Sequence, residues 1–310
     1  MTVTDGRFTS HALGLSVVSL AFVSCLPADT RPVPASLDVT VTADPLLLGG
    51  STGAPTVDGW TVSYDRFLLS MGGASLDGDT SCGMYYNDGY RRILDMTVAA
   101  PQKLNLLYAL GHCDFGFRVQ GPEATSVLGE RVTEADRAFM GAPGTDPYAA
   151  NHGISLYVKG RATRNGVTKS FTWAFRVRVS FEKCRANGDA GPEGFNLTGH
   201  EAAVVDLRVR GDTLFLDSLE PTQQALRFDP IAAADDKYGN GDGDVSLAEL
   251  GLVPLPDIDT DHRYAEPAAL DGGISTWRSL EDYVYLGLFP EVVRFERDGS
   301  CAVTVGDHRR

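Results

Sequence analysis

The chain has 310 residues, 43% of them hydrophobic, and its 41 acidic and 27 basic side chains give a formal charge of −14. An acidic surface of this size is repelled by nucleic acid and by anionic membrane faces, and it suits cations. The length suffices for one large domain or two small ones.

Residues 12–25 (Ala-Leu-Gly-Leu-Ser-Val-Val-Ser-Leu-Ala-Phe-Val-Ser-Cys) are apolar but too few to span a bilayer as a helix. They read as the core of a signal peptide covering residues 1–24. Its end, Phe22-Val23-Ser24-Cys25, resembles the lipobox of bacterial lipoproteins, with Phe22 where Leu is usual. The resemblance implies lipidation of Cys25. Leu26 after that cysteine implies sorting to the outer membrane. Residues 25–36, with Pro27, Pro32 and Pro34, predict a semi-extended tether. Residues 37–310 remain as a single domain.

Beyond Cys25 the chain has Cys82, Cys113, Cys184 and Cys301. An even count in an exported chain favours two disulfides, and four cysteines allow three pairings. The preferred set is Cys82–Cys113, the local pair, with Cys184–Cys301, which would staple the C-terminal strand to the main sheet. No CxxC or Cys/His cluster argues for zinc.

Residues 37–42 (Leu-Asp-Val-Thr-Val-Thr) alternate strictly and predict a first strand. Gly49-Gly50-Ser51-Thr52-Gly53 has the form of a nucleophile elbow, but Ala54-Pro55-Thr56-Val57 offers no following helix, so the stretch reads as a linker. Residues 60–76 predict one or two strands, 90–99 another, and 103–119 two short ones around Gly111-His112-Cys113-Asp114. Thr133-Glu134-Ala135-Asp136 is a capping-box pattern that opens a helix through Met140.

Ile154, Leu156 and Val158 alternate towards Arg164-Asn165-Gly166, a hairpin turn signal. Phe171, Trp173, Phe175, Val177, Val179 and Phe181 return at period two, with Arg176 and Arg178 on the other face. One apolar and one wet face is the pattern of an antiparallel sheet. Residues 203–209 and 213–216 predict further strands. Ser279-Leu280-Glu281-Asp282 opens a helix that Pro290 ends, and 292–295 and 302–305 predict closing strands. The expected fold is mainly β: an antiparallel β-sandwich with a small helical segment at residues 229–290.

That segment holds the one stretch with the marks of a chemical site. Asp229-Pro230 predicts a helix start with Asp229 as N-cap, and 246–250 predicts a second short helix. Between them lies an oxygen-rich loop that fits the EF-hand pattern. With Glu249 at position twelve, Ser246 falls at nine and Val245 at eight. Asp244 then stands at seven, ligating through its carbonyl, Gly243 at six, Asp242 at five and Asn240 at three. Tyr238 occupies position one, where the pattern has Asp, so Asp236, two residues further out, is the candidate first ligand. The predicted metal set is Asp236, Asn240, Asp242, Asp244 and Glu249.

Asp235, Asp236, Asp242, Asp244 and Glu249 repel one another when packed without a cation. Calcium accepts six to eight oxygens in flexible geometry and suits a stretched loop better than magnesium. With such short flanking helices, the expected role of Ca²⁺ is structural. Asp257-Ile258-Asp259-Thr260-Asp261 repeats the spacing but has His262 and Ala268 at positions six and twelve. It reads as a solvated loop able to lend a carboxylate to the first site.

Two blocks, Asp58-Gly59-Trp60-Thr61-Val62-Ser63-Tyr64-Asp65-Arg66-Phe67 and Arg227-Phe228-Asp229-Pro230-Ile231-Ala232-Ala233-Ala234-Asp235, resemble uncharacterised bacterial surface lipoproteins with an EF-hand-like calcium loop late in the chain. The likeness spans most of the mature body and implies location and loop, without a reaction. A fainter one links residues 64–76 with periplasmic copper-binding β-sandwich proteins. Copper would require His112, His152, His200 or His262 to converge. There is no His-Glu-x-x-His and no nucleotide-binding signature, while a carboxylate pair remote in sequence would allow hydrolysis. The expectation is a non-enzymatic, lipid-anchored outer-membrane protein, stabilised by calcium, that binds a protein or glycan ligand and no nucleic acid. The alternatives are a copper-binding protein or a hydrolase.

Overall fold

Alternating β-branched and aromatic residues build the strands of this protein. Its computed structural model describes residues 32–48, 53–78, 80–144, 153–186, 193–200, 202–258, 261, 263–270, 273–296 and 299–306. The expected signal peptide, Cys25, most of the tether, residues 49–52 of the elbow-like stretch, His152, Asp259 and His262 lie outside the described residues. In chain order the elements are β1 (Ala35–Ala43), β2 (Ala54–Pro55), β3 (Thr61–Asp77), β4 (Cys82–Asn87), β5 (Arg92–Asp95), β6 (Gln102–Val119), β7 (Val127–Leu128), α1 (Glu134–Gly141), β8 (Leu156–Arg164), β9 (Val167–Phe175), β10 (Val179–Arg185), β11 (Phe195–Leu197), β12 (Ala202–Val209), α2 (Asp229–Ala233), β13 (Asp244–Ser246), α3 (Leu247–Leu250), α4 (Pro267–Leu270), α5 (Leu280–Asp282), β14 (Val293–Phe295) and β15 (Ser300–Val305). The fold is mainly β, as expected. Residues from Val33 onward form one compact unit.

The strands form two sheets that share β6. Its first part pairs with β1, β4 and β11, and its last part with β3 and β10. The change of sheet falls between Cys113 and Asp114, and just before it stands Gly111, whose φ is +98°. A Cβ there would lie 1.9 Å from the Ser81 carbonyl oxygen, so only glycine fits. What the sequence presents as two short runs is therefore one strand of 18 residues that changes sheets. The sheets are mixed rather than purely antiparallel: β1 with β12, β13 with β9 and β5 with β7 run parallel.

Residues 60–76 resolve into one strand because β3 absorbs an extra residue. Tyr64 pairs with Gly160 and Arg66 with Lys159, leaving Asp65 as a bulge. The bulge shifts the alternation, so Val62 and Tyr64 and then Phe67, Leu69 and Met71 join the same core. Leu68, on the opposite face, packs with Ile93, Met140 and Ile154 in a second cluster. Met140 comes from α1, which opens with the expected capping box: the Thr133 hydroxyl accepts from Asp136 N–H, and Asp136 accepts from Thr133 N–H.

The β8–β9 hairpin turns on Asn165 (φ +51°) and Gly166 (φ +83°). Phe171, Trp173 and Phe175 are all fully buried on β9, with Phe175 stacked on Phe289 at 5.0 Å. Aromatic pairs of this kind contribute about 0.5–1.5 kcal/mol beyond burial. Strand pairing lapses over residues 176–178 while Val177, Val179 and Phe181 keep the expected buried period, and β10 resumes at Val179 against β6 and β15. Both preferred disulfides are present, Cys82–Cys113 and Cys184–Cys301. The second fastens β10 to β15, the C-terminal strand.

Three local expectations are corrected. Ala35 and Ser36, assigned to the tether, belong to β1, where Ser36 pairs with Ala202. Of residues 213–216, expected as a strand, the first three lie in a 3-10 turn over Asp212–Phe215 that buries Thr213, Leu214 and Phe215 together, and Leu216 makes an isolated bridge to Leu226. Asp229 does not cap α2. It is the first helical residue, and the capping carboxylate is Asp58, whose Oδ2 accepts from Phe228 N–H at 2.8 Å and Asp229 N–H at 2.7 Å.

Candidate functional site

The acidic loop is carried between α2 and α3 and laid along the edge of β9. Pro230 presets the first turn of α2, and its alanines leave the helix narrow enough to bury Ile231, Ala232 and Ala234 in the core. The helix then widens into a π turn over Ala234–Tyr238. Such a turn accommodates inserted residues and changes which side chain faces the loop. On the far side, Ser246 caps α3 in a capping box with Glu249. Between them β13 pairs in parallel with β9, Asp244 beside Ser170 and Val245 beside Phe171. Val245 is fully buried and its carbonyl accepts the Trp173 indole N–H at 2.9 Å. This is the short β-contact expected at position eight.

The loop folds on its own polar atoms. Asn240 Oδ1 accepts from Asp242 N–H at 2.9 Å, and Asp242 Oδ1 from Asp244 N–H at 2.8 Å. Gly241 (φ +70°) and Gly243 (φ +89°) supply the left-handed turns between them. Asp244 Oδ1 accepts the Ser170 hydroxyl at 2.7 Å. Glu249, 8% exposed, accepts Ser246 N–H and its hydroxyl through Oε2 and Asn240 N–H through Oε1.

The carboxylate turned into the loop is Asp235, not the expected Asp236. Asp235 is fully buried, and its Oδ2 accepts Gly243 N–H at 3.0 Å. Its Oδ1 is buried without a hydrogen-bond partner, an unusual and costly condition for a carboxylate oxygen. Asp236 points outward, with its side chain 61% exposed. Lys169 Nζ bonds both acids, at 2.6 Å to Asp235 Oδ2 and 2.6 Å to Asp236 Oδ1. Burial pushes the Asp235 carboxyl up, but Lys169 and the Gly243 N–H outweigh it and leave it below the usual range. Burial likewise pushes Lys169 down, and its bonds to Asp235 and Asp236 reverse the shift.

The side-chain acceptors of the loop are oxygens, met by Lys169 Nζ and by backbone N–H groups. Among the described residues no three His, Cys, Asp or Glu side chains converge in a geometry that holds a metal ion. Asp235 and Glu249 make their bonds to Lys169, the Ser246 hydroxyl and backbone N–H donors instead. Asp257 reaches the loop through Tyr238, whose hydroxyl donates to its Oδ2 at 2.9 Å.

Of the histidines considered for copper, His112 is exposed and bonds Asn196 Oδ1 at 3.0 Å, and His200 is exposed. For hydrolysis, Asp77 and Asp114 stand opposite each other on β3 and β6 beside Glu182. The cavity they border measures about 140 Å³, well below the roughly 300–1,000 Å³ of small-molecule sites. A larger cavity of about 640 Å³ opens between Leu255, Tyr264, Trp277 and Arg278. Among the described residues its lining carries no carboxylate, imidazole or thiol.

Sequence reasoning missed the join between the loop's helix and the sheets. Trp60 Nε1 donates to Asp229 Oδ1 at 2.9 Å, and the Trp60 and Phe228 rings lie 5.2 Å apart. Arg164 bonds Asp229 Oδ1 at 2.7 Å while its guanidinium lies 4.5 Å over the Trp60 ring. The signal was present as the two quoted blocks, which the fold brings into contact. No protein-family model, curated protein or solved structure matches this chain.

Proposed function

We propose that this is an exported, non-enzymatic protein anchored to the outer membrane through lipidated Cys25, whose body binds a protein or glycan ligand and is stabilised by calcium in the loop from Asp235 to Glu249. The observation that carries the cation is Asp235: a fully buried carboxylate among the loop's backbone N–H groups, with one oxygen lacking any partner. A divalent ion would satisfy that oxygen, and Asn240, Asp242, the Asp244 carbonyl and Glu249 are the remaining candidate ligands. Export is supported by the apolar run at 12–25 and by the pairing of four body cysteines in two disulfides, which persist in oxidising compartments. Elemental analysis of the full chain purified from the membranes of its producing cell tests the reading. About one equivalent of calcium, lost in Glu249→Gln, is expected; protein free of calcium after equilibration in millimolar Ca²⁺ would overturn it.

A further inference from the structure

The cavity of about 640 Å³ between Leu255, Tyr264, Trp277 and Arg278 plays no part in the reading above. Small-molecule sites occupy roughly 300–1,000 Å³ and join apolar walls to a few placed polar groups. Here the size fits and the walls are fixed. Tyr264 stands in the left-handed region at φ +58°, an outlier for a bulky residue that its surroundings must impose. Its N–H donates to the Asp217 carbonyl at 2.8 Å, while the neighbouring Arg263 guanidinium bonds Asp217 Oδ2 at 2.5 Å. Tyr283, fully buried, packs edge-on against both Tyr264 and Trp277, with ring centroids 5.2 and 6.0 Å away. A Cβ at Gly287 would lie 2.8 Å from the Trp277 ring, so glycine gives that ring its place. Aromatic walls held in this way lose little freedom when a ligand settles on them.

Arg278 is the one charged residue among the described lining, and it is exposed. Its backbone is anchored twice: its N–H donates to Asp282 Oδ2 at 2.7 Å, and its carbonyl accepts Leu255 N–H at 3.0 Å. Among the described residues its guanidinium makes no ion pair or hydrogen bond, in contrast to Arg263 on Asp217. A lone guanidinium beside two aromatic rings selects negative charge on an apolar body, although the chain as a whole carries −14. We propose that this cavity binds a small organic anion, a carboxylate carried on a flat aromatic body. The body lies against Tyr264, Trp277 and Leu255, and the carboxylate takes the Arg278 guanidinium, whose planar fork matches it. The site is separate from the acidic loop and from the protein or glycan ligand proposed above, and it depends on neither.

The test is calorimetric titration of the full chain with naphthoate, and with naphthylmethanol as its uncharged counterpart, for wild type, Arg278→Gln and Ala269→Trp. Ala269 lines the cavity from α4, so a large side chain there fills it. Wild type is expected to bind one naphthoate with a Kd below about 1 mM, and naphthylmethanol more weakly. Arg278→Gln is expected to weaken naphthoate on the order of tenfold and to leave naphthylmethanol unchanged. Ala269→Trp is expected to abolish binding of both. Thermal unfolding run in parallel shows which variants are folded, and should Ala269→Trp fail to fold, the Arg278→Gln comparison decides alone. No naphthoate binding by wild type, equal affinity in wild type and Arg278→Gln, or binding that survives Ala269→Trp would overturn the proposal.

Discussion

The carboxylate of Asp58 caps a helix that begins 171 residues later in the chain, accepting the backbone N–H of Asp229 at 2.7 Å. One oxygen serves both Phe228 and Asp229, and the Thr56 hydroxyl holds the other. Trp60 and Arg164 complete the join by bonding the Asp229 side chain. The helix that delivers Asp235 to the loop is thereby fixed to β3 and to the β8–β9 turn.

Removing that cap costs what a lost N-cap costs. Asp58→Ala is expected to destabilise the protein by about 1–2 kcal/mol, measured by urea unfolding. Asp58→Asn, which keeps an acceptor oxygen, is expected to lose less. Equal stability of the alanine variant and wild type would show that water replaces the cap.

The strands of this fold were legible wherever alternation was uninterrupted, as in Leu37, Val39 and Val41 or Phe171, Trp173 and Phe175. They were misjudged where a single residue broke the period. The Asp65 bulge and the change of sheet after Cys113 made long strands look like pairs of short ones, because pattern reading assumes one face per run. Thr213 to Leu216 is a short apolar run of the kind a buried strand shows, yet its burial in and just after a tight turn is set by the elements packed over it. In the acidic loop the residue types were legible and the inward carboxylate was not. A π turn rotates Asp235 inward in place of Asp236, and linear spacing does not carry that rotation. Lys169 was invisible for the same reason, since only the parallel β13–β9 pairing brings it to the loop.

The two disulfides close loops of very different length, 117 residues apart for Cys184–Cys301 and 31 for Cys82–Cys113. Chain entropy makes the longer closure worth about 1 kcal/mol more. Cys184→Ser with Cys301→Ser is expected to unfold at lower denaturant than the Cys82/Cys113 double variant. The reverse order would mean that the exposed strand Cys82–Asn87 depends on its staple more than the C-terminal strand does.

Gly166 meets nothing within 4 Å, so a methyl group there is a probe of backbone conformation alone. Gly166→Ala at φ +83° is expected to cost about 1–2 kcal/mol. The loss should be read in thermal unfolding. A neutral result would show that the hairpin turn relaxes to another type.

Burial pushes the phenols of Tyr64, Tyr264 and Tyr283 above their ordinary value of 10.0. In each case the folded chain holds the proton more tightly than the unfolded one. Stability from these groups is therefore fully present below pH 10.0 and is lost as pH rises beyond it. An alkaline titration followed by circular dichroism and tyrosinate absorbance is expected to show these phenols ionising only with unfolding. Full ionisation of all tyrosines in a folded chain would contradict it.

Calorimetric titration of the full chain with Ca²⁺, comparing wild type with Asp235→Asn and Asp236→Asn, tests the central claim most directly. One site with a Kd of about 10⁻⁴–10⁻³ M is expected, lost or strongly weakened in Asp235→Asn and retained in Asp236→Asn. No binding in wild type at millimolar calcium, or binding that survives Asp235→Asn unchanged, would contradict it.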